Sequence, residues 1–197
     1  MGYIERALFI VGVQNSGKTT LINNAIDSVP HWLKIGTPRP KKIKNKKYNL
    51  GGSYIISSDR KLYVRTSSFH ESGRNTAYFL KSMKDKTKTG RWNVICPMQP
   101  EATYTKEGNV KMAEPAEAIK KFIERFNPEH IRVYLLDLRF DKIEKTKKRK
   151  SVVVINDKDI RKHISKLQKI KNVECTYLNV KNENKNNHTI TDFFNFS

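Results

Sequence analysis

The sequence predicts one α/β domain over residues 1–197, a three-layer sandwich with a mostly parallel central sheet and helices on both faces. Three observations predict it. Residues 7–13 (ALFIVGV) form an uninterrupted apolar run, the pattern of a strand buried on both faces. Residues 131–138 (IRVYLLDL) form a second such run. Around them, segments of helical spacing alternate with short apolar runs, and strands separated by helices call for parallel pairing. No repeat of fixed period is present.

Taken in order, strand 7–13 leads into a helix over 18–28, stopped by Pro30. Residues 38–50 carry Arg39, Lys41, Lys42, Lys44, Lys46 and Lys47 without an acid, and read as an exposed loop. Segments 53–57 and 61–66 read as an antiparallel hairpin turning at Ser58, Asp59 and Arg60. A helix is expected over 73–84, a strand over 92–96 ending at Pro97, and a loop over 98–112. Pro115 suits a first helical turn, and Ile119, Phe122, Ile123 and Phe126 recur on one face. Asn127 and Pro128 end that helix before strand 131–138. The basic segment 142–150, opposed only by Glu144, precedes a short strand over 152–155. Ile160, Ile164 and Leu167 then mark an amphipathic helix. Asn156, with Asp159 three residues on, reads as its N-cap. A last strand over 173–180, an Asn-rich turn and a tail helix over 191–196 complete the expectation.

Lys and Arg number 39 against 19 Asp and Glu, a net charge of +20 that attracts polyanions. Two cysteines, Cys96 and Cys175, are too few for a disulfide framework or a zinc knuckle. They read as small buried residues of a reducing, cytoplasmic compartment. The longest apolar stretch is too short to span a bilayer, and Glu5 and Arg6 stand where a signal peptide would turn apolar.

The chemistry is concentrated in Gly12-Val13-Gln14-Asn15-Ser16-Gly17-Lys18-Thr19, which satisfies G-x-x-x-x-G-K-[ST] at every fixed position. Phosphate binding requires backbone N–H groups turned toward anionic oxygens, which Gly12 and Gly17 permit by taking turns that a side chain would block. Lys18 then reaches the β- and γ-phosphates, Thr19 offers a hydroxyl to Mg2+, and the helix that follows directs its positive end at the anion. A buried strand before the loop and a helix after it supply the context that the motif demands.

On residues 12–20 the sequence resembles the P-loop NTPase superfamily, and the wider string IVGVQNSGKTTLIN looks like its kinase and GTPase branch. The order of elements is similar to that of a small Ras-like GTPase. The resemblance implies ATP or GTP and Mg2+ as cofactors, with Gly12, Asn15, Ser16, Gly17, Lys18, Thr19 and Thr20 binding nucleotide. It also places Thr37 in a first switch and Gly73 near a second. Asp137, ending the run IRVYLLD, has the form of a Walker B acid and joins Thr19 as a metal-side group. Lys18, Asp137 and Glu71 are the catalytic candidates, with Glu71 and His70 in a loop that can approach the γ-phosphate. Arg65-Thr66-Ser67-Ser68 stands where a GTPase has Asp-x-x-Gly, and Asp141 alone remains of the guanine-reading tetrapeptide, which favours ATP.

Three readings follow from these residues: hydrolysis of a nucleoside triphosphate, phosphoryl transfer to a small acceptor held by Arg39, and a non-hydrolysing switch. Lys-rich segments 38–50, 81–91 and 142–150 suggest DNA or RNA as a partner. With 28 Lys to 11 Arg and no interleaved aromatics, contact would be with the backbone and sequence-tolerant.

Overall fold

The computed structural model describes residues 2–36, 38, 49–142, 149–153, 155–178 and 183–194, with backbone alone for 140–142, 149–153 and 183–185. In chain order the elements are β1 (Tyr3–Val11), α1 (Lys18–Asp27), β2 (Leu33–Lys34), β3 (Gly52–Ile55), β4 (Arg60–Val64), α2 (Thr76–Lys86), β5 (Arg91–Met98), β6 (Thr103–Tyr104), β7 (Val110–Met112), α3 (Pro115–Phe126), β8 (His130–Leu135), β9 (Leu138–Lys142), β10 (Arg149–Val153), α4 (Asp157–Gln168), β11 (Val173–Tyr177) and α5 (Glu183–Asp192). The fold is α/β. Seven strands form one mixed, mostly parallel sheet in the order β11-β8-β1-β5-β4-β3-β2. The run from β11 to β4 is parallel, and β3 and β2 add antiparallel pairings at one edge.

Alternate side chains of β1 go to opposite sides of the sheet, which is why its sequence is apolar from Ala7 to Val11. Ile4, Ala7, Phe9 and Val11 join one buried cluster, while Leu8 and Ile10 join another. Residues of α2, α3 and α4 fill the first cluster, and residues of α1 and α5 fill the second. Connection direction explains the division. The steps β4→β5, β5→β8 and β8→β11 run the same way across the sheet, and the step from β1 to β4 runs the other way. Right-handed crossovers therefore put α1 opposite the other three connecting helices.

Several expected boundaries moved, each for a local reason. Pro97 does not end β5, which continues to Met98. The Ile95 carbonyl, on the β4 side, accepts from Arg65 N (2.9 Å), and Pro97 two residues on faces that same side beyond the end of β4. Its missing N–H therefore breaks no ladder bond. The expected loop 98–112 contains the hairpin β6–β7, whose strands are too short to show alternation. The basic segment 142–150 belongs partly to a second hairpin, β9–β10. Helix α2 starts three residues late, at Thr76, because Asn75 caps it by accepting from Tyr78 N (2.7 Å). The tail helix begins earlier than expected, at Glu183, and ends at Asp192. No described helix is long and apolar enough to cross a membrane.

Phe122 of α3 sits at the centre of the first cluster, with ring centroids 5.3 Å from Phe9, 6.0 Å from Phe79 and 4.8 Å from Phe126. Truncating it removes an aromatic contact shared by the sheet, α2 and α3. Phe122→Ala is expected to destabilise the protein by about 3–5 kcal/mol, read from urea denaturation. Lys120→Ala, on the exposed side of the same helix, should stay within about 0.5 kcal/mol of wild type.

Candidate functional site

The parallel register pairs Val11 with Met98 on one side and with Leu135 on the other, so three strand ends finish level. Two bonds extend this edge past the strands: Gly12 N donates to the Met98 carbonyl (3.1 Å), and Leu136 N donates to the Val11 carbonyl (2.8 Å). The chain between β1 and α1 turns just beyond it. A Cβ on Gly12 would stand 2.5 Å from Ser16 Oγ and 3.1 Å from Leu136 Cβ, so the turn is as tight as glycine allows. Asn15 (φ 64°) and Gly17 (φ 88°) are left-handed and the intervening Ser16 is not. Such alternation turns successive N–H groups toward one concave side, a geometry suited to an anion.

Gly17 is also the N-cap of α1, and it supplies no side-chain hydrogen bond. The first turn of α1 contains no acid either, whereas α2 and α4 are capped by Asn75 and Asn156. Among the described residues, the N–H groups and positive end of α1 are therefore left without a side-chain cap.

Lys18, the first residue of α1, is 4% exposed, and its ammonium meets three acceptors. Nζ donates to the carbonyls of Gly12 (2.6 Å) and Val13 (2.7 Å) and lies 3.4 Å from Glu71 Oε1. Burial pulls its pKa below the ordinary lysine value, and Glu71 only partly offsets this. Glu71 is positioned by its own turn: its N–H donates to Ser68 Oγ (3.1 Å), and its Oε2 accepts from Ser68 N (3.4 Å). The guanidinium of Arg65, 3.8 Å from the centre of the Phe69 ring, steadies the start of that segment.

Thr19 Oγ1 donates to the Thr66 carbonyl (2.7 Å). Its proton is thereby committed while its lone pairs remain. Ser16 Oγ is buried and finds no hydrogen-bond partner among the described residues, and Thr20 is exposed. The structure thus brings Lys18, Glu71, Thr19 and the tight turn 12–17 together.

Asp137 stands two residues beyond β8, and its Oδ1 accepts from the Tyr177 hydroxyl (3.3 Å). Burial and then this carboxylate raise the Tyr177 pKa above 10.0, which keeps it a donor. No described hydrogen bond or ion pair joins Asp137 to Thr19. Asp141 is described by its backbone alone, paired with Lys150. Thr37 and Arg39 lie outside the described residues, as do most of 38–50 and residues 143–148. The remaining basic segment, 81–91, runs down α2 to the start of β5, where Arg91 pairs with Glu5 (3.2 Å) and Asp59 (3.0 Å). That is the amino end of the sheet. The β9–β10 hairpin follows β8 in the chain, and residues 143–148 between its strands lie outside the described residues.

Beside the 12–19 turn, a cavity of about 540 Å³ is lined by the β6–β7 hairpin, the start of α3 and α4 from Asp159 to Lys166, with Val13 in its wall. Its polar lining includes Glu101, Glu114, Asp159 and His163. Glu101, Glu114 and His163 did not stand out in the sequence, and Asp159 did so only as part of the Asn156 cap, although Asp159 and His163, four apart, share one face of a helix. Thr66 gave no signal because it acts through its carbonyl.

His70 is buried above this edge. Gln99 N donates to its Nδ1 (3.4 Å), so Nε2 carries the proton and donates to the Ala113 carbonyl (3.1 Å). Burial depresses its pKa below 6.5, more than the Ala113 bond raises it. The unfolded chain then binds the extra proton first. Stability should be complete above pH 6.5 and decline as pH falls below it. Burial also depresses His163, so two histidines contribute. Urea midpoints measured across this range should show a shallower decline for His70→Gln than for wild type.

Comparisons with protein-family models, curated proteins and solved structures found no match for this chain.

Proposed function

We propose that the chain is a Mg2+-dependent P-loop nucleoside triphosphatase that favours ATP over GTP. One observation carries this reading: a nearly fully buried lysine, Lys18, is held among the described residues by two carbonyls and a partly exposed carboxylate, at the mouth of a turn suited to anions. Such a cation is under-compensated, and a triphosphate would supply the missing charge. The tight approach at Gly12 and the unpartnered Ser16 hydroxyl fit a loop that closes on a ligand. The two buried clusters and the parallel order β4-β5-β1-β8-β11 support a P-loop-type three-layer sandwich.

In this reading the amides of 12–17 and Lys18 bind the β- and γ-phosphates and stabilise charge that develops as the terminal bond breaks. Thr19, its hydroxyl hydrogen directed at the Thr66 carbonyl, keeps lone pairs that would hold Mg2+, and Asp137 would be the second metal-side group. Magnesium, when bound, neutralises phosphate charge and orients the leaving group. Among the described residues no three His, Cys, Asp or Glu side chains are placed to hold a metal ion together, so a metal here would be held mainly by phosphates and water. Glu71 exchanges Lys18 for the ligand and orients the attacking water. The two free cysteines fit a reducing cytoplasm. The +20 charge supports DNA or RNA as a partner through the Lys-rich loops.

The cavity that shares Val13 favours phosphoryl transfer to a small acceptor as the second reading. Phosphate release from ATP and GTP with Mg2+, with and without DNA or RNA, tests the first. Turnover without an acceptor is expected, with a loss of about a hundredfold or more for Lys18→Ala and for Glu71→Gln. ATP binding that survives in wild type without turnover would instead leave the acceptor reading or a non-hydrolysing switch.

A further inference from the structure

The cavity beside Val13 differs in chemistry from the rest of the surface. The chain has twice as many basic as acidic side chains, yet four of its 19 carboxylates line this space: Glu101, Glu114, Glu117 and Asp159. Only two lysines oppose them there, Lys162 and Lys166. The Lys166 ammonium sits 2.9 Å from both oxygens of Glu114, and Glu117 pairs with Lys121 of its own helix (2.7 Å). Among the described residues Glu101 and Asp159 have no ion pair. His163 stands between Asp159 and Lys166 on α4, and burial, then Lys166, keep it neutral at pH 7.

The remaining wall is apolar or aromatic. Val13 and Val110 supply aliphatic surface, and Tyr104 of the short hairpin, 61% exposed, lines the cavity. Unpaired carboxylates, aliphatic wall and an exposed aromatic ring together recognise ammonium groups joined by methylene chains.

We propose that this cavity is a binding site for a small alkylammonium ligand of the linear polyamine class, with its ammonium groups on Glu101 and Asp159, its methylenes on Val13 and Val110, and Tyr104 against one end. A volume of about 540 Å³ holds a ligand of this size. The site excludes phosphomonoesters, because a phosphate placed there would face Glu101 and Asp159 with Lys162, among the described residues, as its one unpaired cation. The proposal does not depend on the nucleotide reading, since it uses no residue of Gly12 to Thr19 except the Val13 side chain.

Spermidine titrated calorimetrically into the full chain at about 0.15 M salt, without nucleotide, tests it. The overall +20 charge repels polyamines elsewhere on the surface, so saturable binding at one site is itself informative. Glu101→Gln with Asp159→Asn should weaken that binding about tenfold or more. Lys162→Ala should strengthen it, because an opposing cation is removed. Circular dichroism checks that both variants fold, and Tyr104→Ala gives a third, purely surface change that should also weaken binding. Absence of saturable binding, indifference to the carboxylate pair, or weaker binding in Lys162→Ala would overturn the proposal. So would AMP displacing spermidine with its own binding lost in Lys162→Ala.

Discussion

Parallel pairing of Val11 with Met98 and with Leu135 brings three strand ends level, and the turn after β1 is built on that edge. Gly12 N continues the ladder onto Met98, and Leu136 N continues it onto Val11. The chain must then reverse within a few residues to start α1, in space already filled by Ser16 and Leu136. Only a residue without a Cβ fits at position 12. A one-residue slip of β1 would turn Phe9 and Val11 out of their cluster and also misplace this turn. Core and site are therefore specified by the same register. At the opposite end, buried Glu5 holds Arg60 of β4 (3.1 Å) and Arg91 of β5 (3.2 Å), so charge fixes the amino ends of strands whose carboxyl ends carry the site.

Lys18 states the electrostatic problem of this edge in one group. Burial disfavours its charged form, and the three acceptors around it are what keep an ammonium tolerable there. Two are carbonyls of the turn itself, so the lysine also holds the turn in shape. The third belongs to a separate segment, residues 65–74, which reaches the site twice: through the Thr66 carbonyl on Thr19 and the Glu71 carboxylate on Lys18. Any anion that takes Glu71's place must act on that segment, because like charges cannot share the lysine without strain. The link from ligand to loop is thus already present in the contacts.

The parts legible in the sequence are those whose signal is local and repeated. The apolar run of β1, the spacing of Ile119, Phe122 and Phe126 on α3, and the Asn156 cap of α4 (2.9 Å to Asp159 N) each follow from a few neighbouring residues. The glycine-lysine turn was legible because strand, turn and helix are contiguous. The β6–β7 hairpin was not, since two and three residues cannot display a period. Helix α5 was misplaced because its polar, Asn-rich first half carries no apolar stripe, and among the described residues its buried apolar side chains are Ile190 and the following Phe193 and Phe194. Pro97 misled because its effect depends on where the neighbouring strand ends. Glu71 was a lone loop acid in the sequence, and its contact with Lys18 spans 53 positions of chain.

The cavity lining was illegible for a related reason, and that reason bears on how the molecule would work. Its carboxylates come from the end of β5 and from the starts of α3 and α4, three places that converge only because the crossovers put those helices on one side of the sheet. Val13 belongs to both regions: its carbonyl accepts from Lys18, and its side chain lines the cavity. If Lys18 leaves that carbonyl for a phosphate, the contacts of a residue that walls the second space change. Under the proposed readings, linkage then requires the coupling to be mutual: whatever a bound triphosphate does to the affinity of the cavity, a ligand in the cavity does to the triphosphate by the same factor.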